Sequence, residues 1–176
     1  SFLSLYAYGR FAQRAQGAPS SALPPNALTT TLDQVIEPLL KAHPGMSGLF
    51  LVSENIDAFA LRALSARHAG RSLDLQYYLW HDDLTGNLLF NEVLQAADRG
   101  VRVRILLDDI NNHDASAKIS VLSEHPMIEV RMFNPARSRG NSLERAVDLL
   151  LQGFRLNRRM HNKAWIVDGR FALVGG

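Results

Sequence analysis

From residue 54 onward the chain alternates two apolar spacings, and that alternation constrains its fold more than any other feature. Ile56, Phe59, Ala60 and Ala63 recur at helical spacing, and His68-Ala69-Gly70 reads as the end of that helix. Leu73 to Trp80 is then a strand rich in aromatics. Thr85 reads as the N-cap of a second helix with Leu89, Val93, Ala96 and Ala97 on one face and Gly100 just past its end. Val101, Val103 and Ile105 alternate with Arg102 and Arg104 before Leu106-Leu107 enters a fuller core. Asp114 caps a third helix carrying Ile119 and Leu122, Pro126 ends it, and Met127 to Phe133 is the next strand. Strands joined by single helices require crossovers, so the expected class is α/β, with a mixed, largely parallel sheet flanked by helices.

The segment ahead of this pattern is less regular. Residues 1–28, with the Gly17-Ala18-Pro19-Ser20-Ser21-Ala22-Leu23-Pro24-Pro25-Asn26 run, read as an extended arm or linker, and residues 29–176 as one domain. A short helix is expected over Leu32 to Ala42 in spite of Pro38, then a break at His43-Pro44-Gly45 and a small apolar segment over Gly48 to Val52. Leu143 to Phe154 is a further expected helix. With 47% apolar and 20% charged residues the chain is globular rather than disordered, and no apolar stretch approaches the ~20 residues of a bilayer span. The absence of cysteine rules out disulfides and thiolate metal sites.

The chemistry gathers near the C-terminal end. His161 and Lys163, two apart on an expected strand, point to one face. There one can act as nucleophile or proton carrier while the other holds a phosphate by its charge. Asp168 is close enough in sequence to orient such a histidine, and Gly175-Gly176 follow. Trp165 to Val167 and Phe171 to Val174 read as a β-hairpin turning at Gly169-Arg170, and a hairpin can form without any chemistry. Between Arg137 and Lys163 seven basic residues face two acidic ones, in a chain whose formal net charge is +2. Positive charge therefore collects just ahead of the histidine, where it would draw in an anionic substrate.

The spacing His161-x-Lys163-x4-Asp168, followed by six residues and then Gly175, resembles the signature of the phospholipase D superfamily. Flanking stretches are similar to bacterial cardiolipin synthase-type proteins of that superfamily. They are Asp74-Leu75-Gln76-Tyr77-Tyr78-Leu79-Trp80, Thr85-Gly86, Ala97 to Arg104, Leu106-Leu107-Asp108-Asp109, Phe133-Asn134-Pro135 and Arg155 to Lys163. Asp108-Asp109, where a strand ends, also reads as a plain turn or cap.

The resemblance implies a phosphodiesterase or phosphatidyltransferase acting on phospholipids through a phosphohistidine, with no metal or other cofactor. His161, Lys163 and Asp168 match the catalytic positions, and Arg158, Arg159 and Gly175 are the candidate phosphate-binding positions. Two motifs face each other in the family, and one is present here. The second is expected from a missing C-terminal half, which makes this chain look like the N-terminal half of a two-motif protein, or from a symmetric second chain. The expected partners are an anionic phospholipid and a bacterial membrane surface, with contact peripheral or through a missing N-terminal anchor. A nuclease of the same superfamily and a catalytically silent module are the alternatives. Against the nuclease, Tyr77, Tyr78 and Trp80 cluster in one strand and read as core rather than as a base-stacking platform.

Overall fold

The computed structural model describes residues 18–24, 29–108, 116–134 and 159–175. Arg158, Asp109, the Asn111 to Asp114 stretch with its expected cap, the Leu143 to Phe154 helix, most of the basic run from Arg137 and Gly176 lie outside them. The elements are α1 (Thr31–Ala42), α2 (Asn55–His68), β1 (Ser72–Tyr77), α3 (Leu84–Asp98), β2 (Arg102–Asp108), α4 (Ser116–Glu124), β3 (Ile128–Phe133), β4 (Ala164–Val167) and β5 (Phe171–Val174).

The five strands form one mixed sheet in the order β3-β2-β1-β4-β5. β1, β2 and β3 are parallel neighbours, with Leu75 beside Ile105 and Ile105 beside Val130. β4 joins the other edge of β1 antiparallel, and β5 folds back along β4. Both crossovers step in the same direction across the sheet, and the right-handed rule then puts α3 and α4 on the same face. α2 packs beside α3 on that face, where Arg67 makes a fork-like pair with Glu92 at 2.9 and 2.5 Å.

Strand alternation decides what lies beneath the helices. Leu73, Leu75, Val103, Ile105, Leu107, Trp165 and Val167 point into the core and meet Ala66, Val93, Ala96, Ala97 and Leu122 from the helices. Small alanines on α2 and α3 let the helices approach the sheet closely, and Trp165, fully buried, fills the space between β4 and α2. Its indole N–H donates to Ser65 Oγ at 3.1 Å, so its polar handle is satisfied. Truncating such a side chain to alanine costs about 3–5 kcal/mol.

The intervening positions of β1, β2 and β3 face the other way and are mostly polar, with Leu106 and Phe133 as exceptions. Arg104 Nε pairs with Asp74 at 2.5 Å across β1 and β2, and Glu129 and Arg131 pair on β3. Residues 18–24, with neither helix nor strand, cross this face: Ser20 Oγ donates to Glu129 at 3.0 Å and Arg102 donates to the Ser21 carbonyl at 2.7 Å.

Several boundaries differ from the sequence expectation, each for a local reason. α3 is capped by Asp83, whose carboxylate accepts the Gly86 N–H at 2.7 Å, so Thr85 falls inside the first turn and its hydroxyl also donates to Asp83. Ile56 heads the expected apolar stripe of α2 yet is 71% exposed. α1 runs through Pro38, anchored at its start by a capping box between Thr30 and Asp33.

Candidate active site

Parallel strands deliver their carboxyl ends to one edge, and in open α/β sheets that edge is where ligands bind. β1 ends there at Tyr77, β2 at Asp108 and β3 at Phe133. β4 runs the opposite way, so its entrance comes to the same edge: Ala164 pairs with Gln76, while Val167 pairs with Leu73 at the far end. The residues just before Ala164, His161-Asn162-Lys163, therefore stand at the carboxyl edge. They lead into β4 rather than lying on it, and the hairpin is extended to them by the Gly175 N–H, which donates to the Lys163 carbonyl at 3.3 Å.

His161 is exposed and Lys163 half-buried. The Lys163 ammonium lies 3.1 and 3.2 Å from the two ring nitrogens of His161 and donates to the His161 carbonyl at 3.2 Å. The two residues that the sequence set on one face are thus brought together, ring against ammonium. An anion entering from solvent meets both groups at once.

Two further residues hold this pair, and sequence reasoning assigned neither to the site. Asp108, fully buried at the end of β2, accepts the Met160 N–H at 2.9 Å and lies 3.6 Å from Arg159 Nη1. It tethers the backbone one residue ahead of His161 to the central sheet, which is more than the turn or cap its sequence position suggests. Tyr78 sets its ring 5.1 Å from the His161 imidazole at a 52° tilt. Tyr78 thus belongs to the site edge, whereas Tyr77 turns inward against Trp80 and Trp165 at 5.4 and 6.4 Å. Burial pushes the Tyr77 hydroxyl up in pKa even though Arg62 Nε donates to it at 2.9 Å. The signal that could have separated the two tyrosines was strand alternation itself.

Asp168 is not brought to His161. Five residues beyond Lys163, at ~3.3 Å of strand rise each, β4 has carried it roughly 16 Å to the amino end of β1. There its fully buried carboxylate accepts backbone N–H groups from Gly70 at 3.0 Å, Arg71 at 2.7 Å and Ser72 at 2.9 Å. It also forms the hairpin turn with Gly169. The two have φ of 54° and 68°, as a type I′ turn requires, and Arg170 N–H closes the turn on the Val167 carbonyl at 3.0 Å. The turn thus falls one residue earlier than Gly169-Arg170. The expectation that Asp168 orients the histidine fails because an extended strand separates them.

Arg159 lies two residues ahead of His161, half-buried and leaning toward Asp108. Gly175 has φ of 124°, a conformation that disfavours any side chain, and its N–H is already engaged with Lys163. His81-Asp82-Asp83, the nearest approach to a metal-ligand cluster on the described part of the chain, is taken up by structure. Asp82 accepts from Lys118 and Asn87, Asp83 caps α3, and both carboxyls are held below their usual range by these bonds. Gly86 is required here because a Cβ would collide with the His81 carbonyl oxygen.

Comparison with known proteins identifies the family. The family model described as "Cardiolipin synthase, PLD-like domain" matches residues 65–176. Cardiolipin synthase C of Escherichia coli K12 is 49% identical over 145 residues, covering 82% of this chain and 30% of that protein. An uncharacterized protein of Helicobacter pylori J99 is 38% identical over 148 residues, 84% of this chain and 29% of that one. Cardiolipin synthase 2 of Staphylococcus epidermidis RP62A is 31% identical over 110 residues, 62% of this chain and 20% of that protein. The chain thus spans less than a third of the length of these relatives. A family match over most of the chain, ending on the hairpin that presents His161 and Lys163, places the protein in the cardiolipin synthase branch of the phospholipase D-like domain family.

Proposed function

We propose that the chain supplies half of the active site of a phospholipid phosphodiesterase or phosphatidyltransferase, with His161 as one of two catalytic histidines. The observation that carries this reading is the Lys163 ammonium set 3.1 Å from the His161 ring at an open sheet edge. A ring nitrogen of His161 attacks the phosphorus of a phosphodiester. A P–N bond forms and the bond to the leaving alcohol oxygen breaks, giving a phosphohistidine. The histidine of a second motif protonates the leaving alcohol, then takes the proton from an incoming alcohol or water, whose oxygen displaces His161. Lys163 binds the non-bridging oxygens, where negative charge must be held in place through both steps. Arg159 and Arg158, just ahead in sequence, add positive charge for the same phosphate. Asp168 acts at a distance, by fixing the hairpin that carries the pair.

The second motif comes from the remainder of a longer protein, as the relatives' lengths favour, or from a second copy of the chain. An anionic phospholipid as substrate fits both the basic side chains and the cardiolipin synthase relatives. The work then takes place at a bacterial membrane surface. Among the described residues no helix is long and apolar enough to cross a membrane.

Rapid quenching of the full-length protein in alkaline detergent, with phosphatidylglycerol labelled at its phosphate, tests the reading. Acid-labile, base-stable label should appear on the protein and be absent from a His161→Asn variant that still folds. Label retained by that variant, or cleavage of duplex DNA in place of lipid turnover, would overturn it.

A further inference from the structure

Large exposed apolar side chains surround the end of the molecule that carries His161 and Lys163. α2 runs back along β1: Ser65 meets Trp165 beside the middle of the strand and Arg62 meets Tyr77 at its end. The first residue of α2, Asn55, therefore stands seven residues, roughly 10 Å, beyond that end of the sheet. The segment leading into it, Leu49-Phe50-Leu51, has neither helix nor strand, and its residues are 99%, 88% and 87% exposed. Ile56 in the first turn of α2, Leu84 at the start of α3 and Val174 at the end of β5 are also exposed. All three lie at the carboxyl edge, because α3 begins where β1 finishes and β5 runs parallel to β1.

Three consecutive large apolar residues almost wholly in water, next to a catalytic edge, mark a docking surface. We propose that this edge docks on the phospholipid bilayer. Leu49, Phe50 and Leu51 enter the boundary between headgroups and acyl chains, and Ile56, Leu84 and Val174 rest at its surface. The inference rests on the phospholipid reading above and adds how the site reaches a substrate held in a membrane. Charge favours a bilayer as the occupant: Arg159, His161 and Lys163 open on the same edge, where anionic headgroups supply the complement. The size of the apolar tip agrees, since a short unpaired Leu-Phe-Leu segment reaches the ~5–10 Å at which interfacial elements lie.

The full-length protein carries the test. This chain holds no cysteine, so Phe50→Cys provides a unique thiol in it for an environment-sensitive fluorophore. The vesicles are equal mixtures of phosphatidylglycerol and phosphatidylcholine, with or without nitroxide quencher on the acyl chains. The emission should shift to the blue on binding and be quenched by the acyl-chain nitroxides. A Leu49→Ser/Leu51→Ser variant should partition roughly tenfold or more weakly, given the apolar area it removes. Its turnover of a short-chain phosphatidylglycerol kept monomeric in solution should be unchanged. A label that stays accessible to aqueous iodide on vesicle-bound protein overturns the proposal. So does a label already shielded from iodide without vesicles, which would mean that another part of the protein or a second copy covers the segment. Failure of the unaltered protein to turn over the monomeric lipid speaks instead against the phospholipid reading, and the fluorescence result stands apart from it.

Discussion

Asp168 and Ser72 bind each other twice: the Ser72 N–H donates to the Asp168 carboxylate at 2.9 Å, and the Asp168 N–H donates to the Ser72 carbonyl at 2.8 Å. With the amides of Gly70 and Arg71 on the same carboxylate, this pair clamps the turn of the β4–β5 hairpin to the first residue of β1. Arg71 adds a bond to the Asp168 carbonyl at 2.6 Å. The hairpin holds His161 and Lys163 at its other end. Asp168 thus fixes the hairpin that carries His161 and Lys163.

Asp168→Asn should therefore lower stability without altering the chemistry. Asparagine keeps the positive φ of the turn, but it loses the charge and one acceptor, leaving buried amides poorly paired at a cost of about 1–3 kcal/mol. Denaturant unfolding should show that loss, while kcat measured well below the melting temperature stays close to the parent value. A hundredfold fall in kcat with unchanged stability would return Asp168 to the chemistry.

Lys163→Met should behave in the opposite way. It removes the charge that faces the phosphate and keeps the length of the side chain, so stability should hold while kcat falls by about 10²–10³-fold. If the lysine charge does the work that divalent ions do in two-metal phosphodiesterases, activity of the parent protein should also persist in excess EDTA. Loss in EDTA restored by zinc or magnesium would point to metal-assisted hydrolysis, and near-normal rates in Lys163→Met would remove its phosphate-binding role.

The sheet was legible because its information is periodic. Val103, Ile105 and Leu107 alternate with polar partners, and Val93, Ala96 and Ala97 repeat at helical spacing, so the strands, the crossover helices and the parallel core could be read from local pattern alone. The closeness of His161 and Lys163 was legible from their spacing of two, although both precede β4 rather than lie on it. What pattern does not encode is distance in space. Asp168 looked close to His161 because five residues separate it from Lys163, yet a strand turns those residues into most of the width of the sheet. Asp33 and Asp108 were opaque because their partners, Arg71 and Arg170 for one and Met160 for the other, come from distant parts of the chain. Gly48 to Val52 was read as an apolar segment, and only the structure shows that its side chains face water.

Tyr78 provides a test of how tightly the imidazole must be held. Its ring contact with His161, at 5.1 Å, is of the kind worth about 0.5–1.5 kcal/mol. If that contact orients the nucleophile, Tyr78→Ala should lower kcat by roughly tenfold at most, since 1.36 kcal/mol is one decade in rate. Tyr78→Phe, which keeps the ring, should restore it. Equal losses in both variants would shift the role to the hydroxyl, and no loss in either would make the contact incidental.

Asp33 sets how the far end of the hairpin responds to acid. Its carboxylate is fully buried, with Arg170 Nε at 2.8 Å and the Arg71 guanidinium and the Thr30 amide on the other oxygen; Arg170 also reaches Glu37 at 3.1 Å. Burial by itself raises the pKa of this group, but the bonds from Arg170, Arg71 and Thr30 outweigh it and hold the carboxyl well below the usual carboxylate range. In the unfolded chain the same group titrates near the ordinary aspartate value of about 3.9. The native state therefore binds the proton less readily than the unfolded state. The stabilisation by Asp33 is complete above about pH 5 and is lost as pH falls through 4 and below. Urea unfolding from pH 7 to pH 3 should show the parent protein losing stability faster than Asp33→Asn over the acid part of that range, the gap between them closing as pH drops. Parallel pH profiles for the two proteins would mean that the Asp33 charge does not hold α1 to the hairpin.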